Sequence, residues 1–173
     1  MDEREARGGV LILGGGFAGA YVARILGDRG STIVSRENFM LYTPLLPEAA
    51  SGTLEPRHAV VPLRVMCPHA ELLIGDLTSV DLDTHTAAVE TDAGPQVVRW
   101  RELVLALGAV PRTVPVPGLV EHGLSFKSLP DAINLRNHVL RRLELAVEGD
   151  AERQLTFVFV GAGYAGAERV PIQ

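Results

Sequence analysis

Two glycine-rich segments contain the residues whose types and spacing point most directly to chemistry. In each, three glycines spaced as GxGxxG follow an apolar segment rich in β-branched or aromatic residues. They are Gly14, Gly16 and Gly19 after Val10–Leu13, and Gly161, Gly163 and Gly166 after Phe157–Val160. Such glycines let the backbone approach a pyrophosphate, while the helix that begins there directs its N–H groups and positive dipole end at the phosphates. The chain therefore has two candidate dinucleotide sites, the alternative being glycine turns that bind nothing.

The segments around the first glycines predict an α/β fold. Apolar positions after Phe17 recur at helical spacing, which indicates a helix. Parallel strands are predicted at Thr32–Ser35, at Glu71–Ile74 and at the unbroken apolar segment Leu103–Leu107. Three alternating segments predict a small antiparallel meander: Leu77–Leu82, Ala87–Thr91 and Val97–Arg101. We therefore expect a doubly wound domain with a parallel sheet and an antiparallel insertion.

Two other segments carry strong local signals. Ala59–Met66 is ambiguous, because Pro62 can end a strand or stand in the first turn of a helix. Leu129–Val147 has a largely apolar face at helical spacing, and Ser128 with Asp131 forms a capping-box pattern before it. The second segment is therefore predicted to be a long amphipathic helix.

The composition is typical of a soluble protein that builds one substantial core. The chain has 173 residues, of which 47% are hydrophobic and 21% charged, with a net charge of −5. This charge disfavours nucleic acid as a partner. The longest apolar run, Leu103–Val110, is shorter than the ~20 residues of a membrane span. The charged N-terminus has no secretory signal, so the expected compartment is the cytoplasm.

The chain has few residues that could form a disulfide or a metal site. The single Cys67 cannot form an internal disulfide, and a buried structural role is favoured over a redox role. The five histidines are scattered without metal-ligand spacing, so no metal is expected.

Four stretches resemble the N-terminal part of the pyridine-nucleotide flavoprotein oxidoreductases, and most closely type II NADH dehydrogenase. They are VLILGGGFAGAYVARIL, TIVSRENFMLYTPLLPEAASGTLEP, LVLALGAVPR and FVFVGAGYAGAE. The most specific element is the TPLLP-type loop after an aromatic residue. The resemblance implies a Rossmann-like FAD/NAD(P)-binding three-layer fold. It also implies hydride transfer from NADH to FAD, followed by electron transfer to a quinone-like acceptor.

The resemblance also implies site residues. Those expected to bind FAD are Gly14, Gly16, Phe17, Ala18 and Gly19 at the pyrophosphate, Pro44 and Leu45 beside the isoalloxazine, Leu77 at the adenine, and Ala106, Leu107 and Gly108 near the flavin phosphates. Gly161, Gly163 and Gly166 would bind NAD(P)H. Glu168 is the catalytic candidate near the contact between nicotinamide and flavin. The alternative for Glu168 is a carboxylate that stabilises the first turn of a helix.

The chain departs from the pattern at the ribose of the adenosine. An acid is expected about 20 residues after the first glycine, but Ser35 and Arg36 stand there and the nearest acid is Glu37. Ser35 can accept a ribose hydrogen bond, while Arg36 can cover the adenine or neutralise a phosphate. A 2′-phosphate, and hence NADP at this first site, is therefore an alternative to FAD.

The sequence predicts an incomplete enzyme. Residues 1–154 would form an FAD-binding domain without its C-terminal return strand, with the boundary at 149–154. Residues 155–173 would form the first strand and glycine turn of a truncated NAD(P)-binding domain. Such a fragment is expected to be a weak or inactive catalyst. The alternatives are a non-catalytic FAD/NAD(P)-binding module and an inactive truncated gene product.

The expected partners follow from the same resemblance. They are a small-molecule electron acceptor of the quinone type and, in a full-length form only, the inner face of a membrane. Homo-oligomerisation is a further expectation, because an unfinished second domain exposes apolar strand surface.

Overall fold

A computed structural model describes residues 2–109, 115–149 and 151–160 of the chain. The strands are β1 (Asp2–Glu5), β2 (Val10–Leu13), β3 (Ser31–Ser35), β4 (Phe39–Leu41), β5 (Val60–Pro62), β6 (Ala70–Ile74), β7 (Asp76–Asp81), β8 (Thr86–Thr91), β9 (Gly94–Arg99) and β10 (Glu102–Leu105). The helices are α1 (Phe17–Leu26), α2 (Leu46–Ser51), α3 (Leu63–Met66), α4 (Leu119–His122), α5 (Leu129–Glu148) and α6 (Ala151–Gln154). The chain divides into one compact unit of residues 1–41 and 60–110 and a second of residues 42–59 and 111–173.

A four-stranded parallel sheet in the order β10-β2-β3-β6 organises the first unit. Leu13 at the end of β2 is in register with Val34 on one side and Leu105 on the other, and Ser35 is in register with Ile74. The carboxyl ends of all four strands therefore meet at one edge of the sheet. The predicted parallel strands are confirmed, although the last one ends at Leu105 instead of Leu107.

The core lies on both faces of this sheet. All four residues of β2 are buried, with at most 1% of each exposed. Leu11 and Leu13 pack with residues of the meander on one face, while Val10 and Ile12 pack with α1 on the other. Burial on both faces is the physical reason for an unbroken apolar strand. The layers are thus helix, parallel sheet and meander, which is the Rossmann-like arrangement that the sequence predicted.

The meander is confirmed as strands β7, β8 and β9 in antiparallel pairing, but a fourth strand was not anticipated. The charged β1 pairs in parallel with β9. Its Glu3 side chain forms an ion pair with Arg99, and Arg4 forms one with Glu71 of β6. Strand β1 is therefore fixed by backbone pairing and tertiary ion pairs, neither of which a local pattern reveals.

The ambiguous segment Ala59–Met66 contains both of the structures that Pro62 permits. Strand β5 pairs with β4 and ends at Pro62, which is then the N-cap residue of α3. Proline fits both roles because its ring fixes φ and neither position needs its missing N–H group.

In the second unit, α2 packs against α5. The contact buries small and apolar side chains of both helices: Leu46, Ala49, Ala50 and Ala132. The capping box of α5 forms as predicted, because the Asp131 N–H donates to Ser128 Oγ at 3.2 Å and the Ser128 N–H donates to Asp131 Oδ2 at 2.9 Å.

Candidate dinucleotide site

The turn between β2 and α1 places the first glycine-rich segment at the carboxyl edge of the parallel sheet. The backbone N–H of Gly14 donates to the carbonyl oxygen of Val34 at 2.8 Å, so the turn is attached to the end of the neighbouring strand β3. Gly14 has a φ of +111°, a conformation that favours glycine. Gly16 is then the N-cap residue of α1.

The three fingerprint glycines have different surroundings. A Cβ atom on Gly14 would lie closer than 3.0 Å to the carbonyl oxygen of Ala106, and one on Gly19 would lie closer than 3.0 Å to the carbonyl oxygen of Gly14. A Cβ on Gly16, in contrast, would meet no atom within 4 Å. Gly14 and Gly19 are therefore required by the fold, whereas Gly16 borders open space.

The open space in front of Gly16 suits a pyrophosphate. The first turn of α1 contains no acidic residue that would repel an anion. The positive dipole end of the helix stabilises negative charge placed there. The geometry therefore meets the requirement of a dinucleotide phosphate, which is close approach to backbone at a helix N-terminus.

Two more glycine-turn residues have distinct positions. Phe17 and Ala18 are exposed on the first turn of α1. Gly15, which the sequence did not single out, is buried, and a Cβ there would lie 2.6 Å from Ser35 Oγ and 2.6 Å from Leu63 Cδ1. The side chains of Leu63 and Ser35 thus leave no room for a side chain at Gly15. In the sequence, the only sign of this requirement is the position of Gly15 between two other glycines.

The carboxyl edge also collects residues from the other strands. The chain runs from β2 to β3 and β6 on one side and returns as β10 on the other, so β2 lies at the switch point of the sheet. Ligands of open α/β sheets bind in the crevice at such a point. Ser35 closes β3, and Ala106 follows β10 with its N–H donating to Leu13 O at 2.8 Å. The structure therefore brings these two predicted site residues to the glycine turn.

Arg36 does not stand alone at this edge. Its Nε lies 2.5 Å from Oδ1 of Asp76, the first residue of β7, and both side chains are exposed. Leu77, the residue predicted to contact adenine, is paired with Val89 in the meander ladder and packs its side chain against the meander cluster. Asp76 was missed by the sequence analysis, although an acid directly after Gly75 was a visible signal.

The remaining predicted residues fall into three groups. Leu107 and Gly108 follow Ala106 and are exposed, with Gly108 at a φ of +70°. Pro44 and Leu45 lie on a 3-10 turn of the second unit, where Pro44 is exposed and Leu45 half-buried. Gly161, Gly163, Gly166 and Glu168 lie outside the described residues. Their proposed roles at the flavin and nicotinamide stay predictions.

The segment before the second fingerprint belongs to no helix or strand. Residues 156–160 form no ladder with any strand of the described chain, and Val158 and Phe159 are exposed. A parallel strand needs a neighbour for its backbone groups. The predicted strand Phe157–Val160 therefore has no sheet partner within the described residues.

Cys67 occupies the structural position that the sequence favoured. It is buried on the α1 side of the sheet, and its thiol donates to the carbonyl oxygen of Ala20 at 3.2 Å. Burial raises the pKa of the thiol, and the positive charge of Arg24 opposes this shift only in part. A thiol that stays protonated is a poor nucleophile.

The described ranges hold neither a cluster of metal ligands nor a helix suited to a membrane. No cluster of three or more His, Cys, Asp or Glu side chains with metal-binding geometry occurs among residues 2–109, 115–149 and 151–160. Over the same part of the chain, no helix combines the length and apolarity needed to cross a bilayer.

Comparison with known proteins gives a consistent match. The family model of the pyridine nucleotide-disulphide oxidoreductases matches residues 8–169. The mitochondrial external alternative NAD(P)H-ubiquinone oxidoreductase B4 of Arabidopsis thaliana is 31% identical over 92% of this chain and 30% of its own length. The type II NADH:quinone oxidoreductase NdhA of Mycobacterium tuberculosis is 30% identical over 92% of this chain and 36% of its own length.

Solved structures share the fold. NDH2 of Plasmodium falciparum in complex with NADH matches 80% of this chain and 30% of its own, with a TM-score of 0.70 and 24% identity. The sulfide:quinone oxidoreductase of Aquifex aeolicus matches 83% of this chain and 33% of its own, with a TM-score of 0.65 and 22% identity. The chain thus spans about a third of the length of these relatives.

Proposed function

We propose that this chain, which belongs to the pyridine nucleotide-disulphide oxidoreductase family, forms the FAD-binding part of an NAD(P)H:quinone-type oxidoreductase. The family match covers the first fingerprint, the meander and the segment up to Glu168. The Arabidopsis and Mycobacterium relatives are named as oxidoreductases that use NAD(P)H or NADH with ubiquinone or quinone. The acceptor proposed for the whole protein is therefore a quinone-like molecule reached at a membrane surface.

The observation that carries the proposal is the open space in front of Gly16. At Gly14, Gly15 and Gly19, neighbouring atoms already occupy the space that a Cβ atom would need. At Gly16, the N-cap residue of α1, that space is open. A pyrophosphate is the group of FAD that needs such an approach. The site lies at the switch point of the parallel sheet, which is where this class of fold binds its ligand.

Each part of the site has a proposed task when FAD is bound. The first turn of α1 stabilises the pyrophosphate through its N–H groups and dipole. The Ser35 hydroxyl would hydrogen-bond the adenosine ribose, and the backbone at Ala106–Gly108 would hold the flavin phosphates.

The flavin itself supplies the redox chemistry, because it accepts a hydride from NADH and passes electrons on to the acceptor. The residues proposed to act on that step lie in the second fingerprint. Gly161, Gly163 and Gly166 would hold the NAD(P)H phosphates, and Glu168 would stand near the nicotinamide. NADH and NADPH both remain candidates for the donor.

Titration of the chain with FAD tests the proposal, with Gly16→Ala as the informative variant. Flavin absorbance and fluorescence report binding, and thermal unfolding reports the fold. Gly16 has a φ of −75°, which alanine adopts, and its Cβ would meet no protein atom. A loss of about 1 kcal/mol at the N-cap is offset by the reduced entropy of the unfolded chain, so the melting temperature should change little.

Gly16→Ala should nevertheless weaken FAD binding by about tenfold or more, because the methyl group occupies space that the pyrophosphate needs. Gly149→Ala is the matched control, since it adds the same methyl group in open space at the end of α5. If the unaltered chain stays colourless with excess FAD, or if Gly16→Ala binds FAD as tightly as Gly149→Ala, the proposal is wrong.

A non-catalytic FAD-binding module is the second candidate. It is favoured by residues 156–160, which precede the second fingerprint and pair with no strand of the described chain. Anaerobic addition of NADH to the FAD-loaded chain separates the two functions. Bleaching of the flavin absorbance indicates hydride transfer, whereas a yellow protein that NADH does not bleach is a binding module.

A further inference from the structure

An exposed ion pair stands at the adenosine end of the candidate dinucleotide site. Arg36 follows the last residue of β3, and Asp76 begins β7. The Gly75 N–H donates to the carbonyl oxygen of Ser35 at 3.0 Å, so Asp76 lies one residue beyond the bond that joins these two strand ends. The 2.5 Å contact between Arg36 Nε and Asp76 Oδ1 therefore forms directly beside the ribose candidate Ser35.

The position of this pair gives it more importance for recognition than for stability. The side chains are 79% and 62% exposed. Exposed ion pairs contribute little to the stability of the fold. In the dinucleotide-binding fold, however, the strand that follows the first helix, here β3, ends where the ribose 2′ position is recognised. An acid there binds a 2′-hydroxyl, whereas a nearby arginine binds a 2′-phosphate.

We infer that Asp76 determines the nucleotide specificity of this site by occupying Arg36, so that the site selects an adenosine with a free 2′-hydroxyl over one with a 2′-phosphate. The inference rests on the proposed function of the glycine turn. In this chain the strand-closing acid is replaced by Ser35, and the carboxylate comes from β7 instead.

The chemistry of the pair explains the selection. A 2′-phosphate needs a guanidinium whose positive charge is not already compensated. Here the Asp76 carboxylate compensates the charge of Arg36 through the contact at Nε, and the same carboxylate would repel the phosphate. The adjacent Glu37 adds a further negative charge to the same chain segment. A 2′-hydroxyl carries no charge and meets neither obstacle.

Isothermal titration with ADP and with 2′-phospho-ADP tests the inference, because these ligands differ only at the 2′ position. The unaltered chain should prefer ADP. Asp76→Asn releases Arg36 and should strengthen 2′-phospho-ADP binding by about tenfold, the effect of one charge-assisted hydrogen bond. ADP binding should change by less than about threefold, and the melting temperature should stay unchanged.

Two further variants locate the effect. The double variant Asp76→Asn with Arg36→Gln should lose the gain for 2′-phospho-ADP, because the phosphate then has no guanidinium to bind. Asp83→Asn removes the same charge from the exposed turn after β7 and should leave both affinities unchanged.

The failures are distinguishable. If ADP binds but Asp76→Asn leaves the ratio of the two affinities unaltered, or if the double variant keeps the gain, the inference is overturned and the proposed function stands. If neither ADP nor FAD binds to any variant, the proposed function fails and the inference fails with it.

Discussion

Replacement of Gly19 by alanine sets two known effects against each other. Gly19 is in the first turns of α1, and alanine is preferred over glycine in a helix by up to about 1 kcal/mol. The Cβ would, however, lie closer than 3.0 Å to the backbone carbonyl oxygen of Gly14 and 3.1 Å from Ile12 Cγ2.

The packing effect should exceed the propensity effect. The obstructing oxygen belongs to the backbone at the end of the fully buried β2, so α1 itself must move, by about an ångström. Overpacking of this kind costs about 1–3 kcal/mol, and the upper end applies where no side chain can yield. After the helix preference of alanine is subtracted, Gly19→Ala should lower the free energy of unfolding by about 1–2 kcal/mol.

Urea unfolding followed by circular dichroism measures this change. Ala18→Gly is the matched control, because Ala18 is exposed in the same turn and reports the helix propensity alone. It should destabilise the chain by up to about 1 kcal/mol. A Gly19→Ala chain that is as stable as the unaltered chain, or more stable, would refute the close approach of α1 to β2.

Two more perturbations test the hydrogen bonds of the core and of α5. Thr32→Val should cost about 1–3 kcal/mol in urea unfolding, because the buried Thr32 Oγ1 accepts the Arg7 N–H at 2.9 Å and donates to Glu71 at 3.3 Å. Ser31→Ala is its control and should cost less, since Ser31 Oγ is buried without a hydrogen-bond partner in the described chain; equal costs would contradict this account. Burial favours the neutral form of Asp131, but N–H groups just before α5 outweigh it and lower the pKa of the carboxyl. The stabilisation by the ionised carboxyl should be complete above the ordinary Asp pKa of about 4 and should be lost as pH falls through the lower pKa of the folded chain. The free energy of unfolding should therefore fall more steeply with acid in the unaltered chain than in Asp131→Asn. Parallel curves for the two chains would exclude this role of Asp131.

Local sequence signals predicted the parts of the fold that local physics determines. The capping box of α5 depends on two residues three positions apart, and both of its hydrogen bonds form. Strand β2 is apolar at every position because both of its faces are covered. For such elements, the residues that form the sequence pattern also make the interactions that stabilise the structure.

Other features depend on contacts between distant parts of the chain. Strand β1 has a charged sequence and exists through its pairing with β9. Strand β10 ends at Leu105, which is 66% exposed and is in register with Leu13 at the end of β2, the one described strand that pairs with it. The Arg36–Asp76 pair joins strand ends that lie 40 positions apart. None of these could be predicted from a window of neighbouring residues.

The structure also shows that the three glycines of the first fingerprint have different roles. A turn that binds nothing would still need Gly14 for its positive φ and Gly19 for the approach of the helix. Gly16 has an ordinary φ and open space, so the fold places no demand on it. A helix cap alone would be slightly better served by serine, asparagine or aspartate than by glycine at this position, and aspartate would repel a phosphate. The bare backbone at Gly16 therefore argues for a ligand more directly than the motif does, and Gly16→Ala is the substitution in which loss of binding can be separated from loss of the fold.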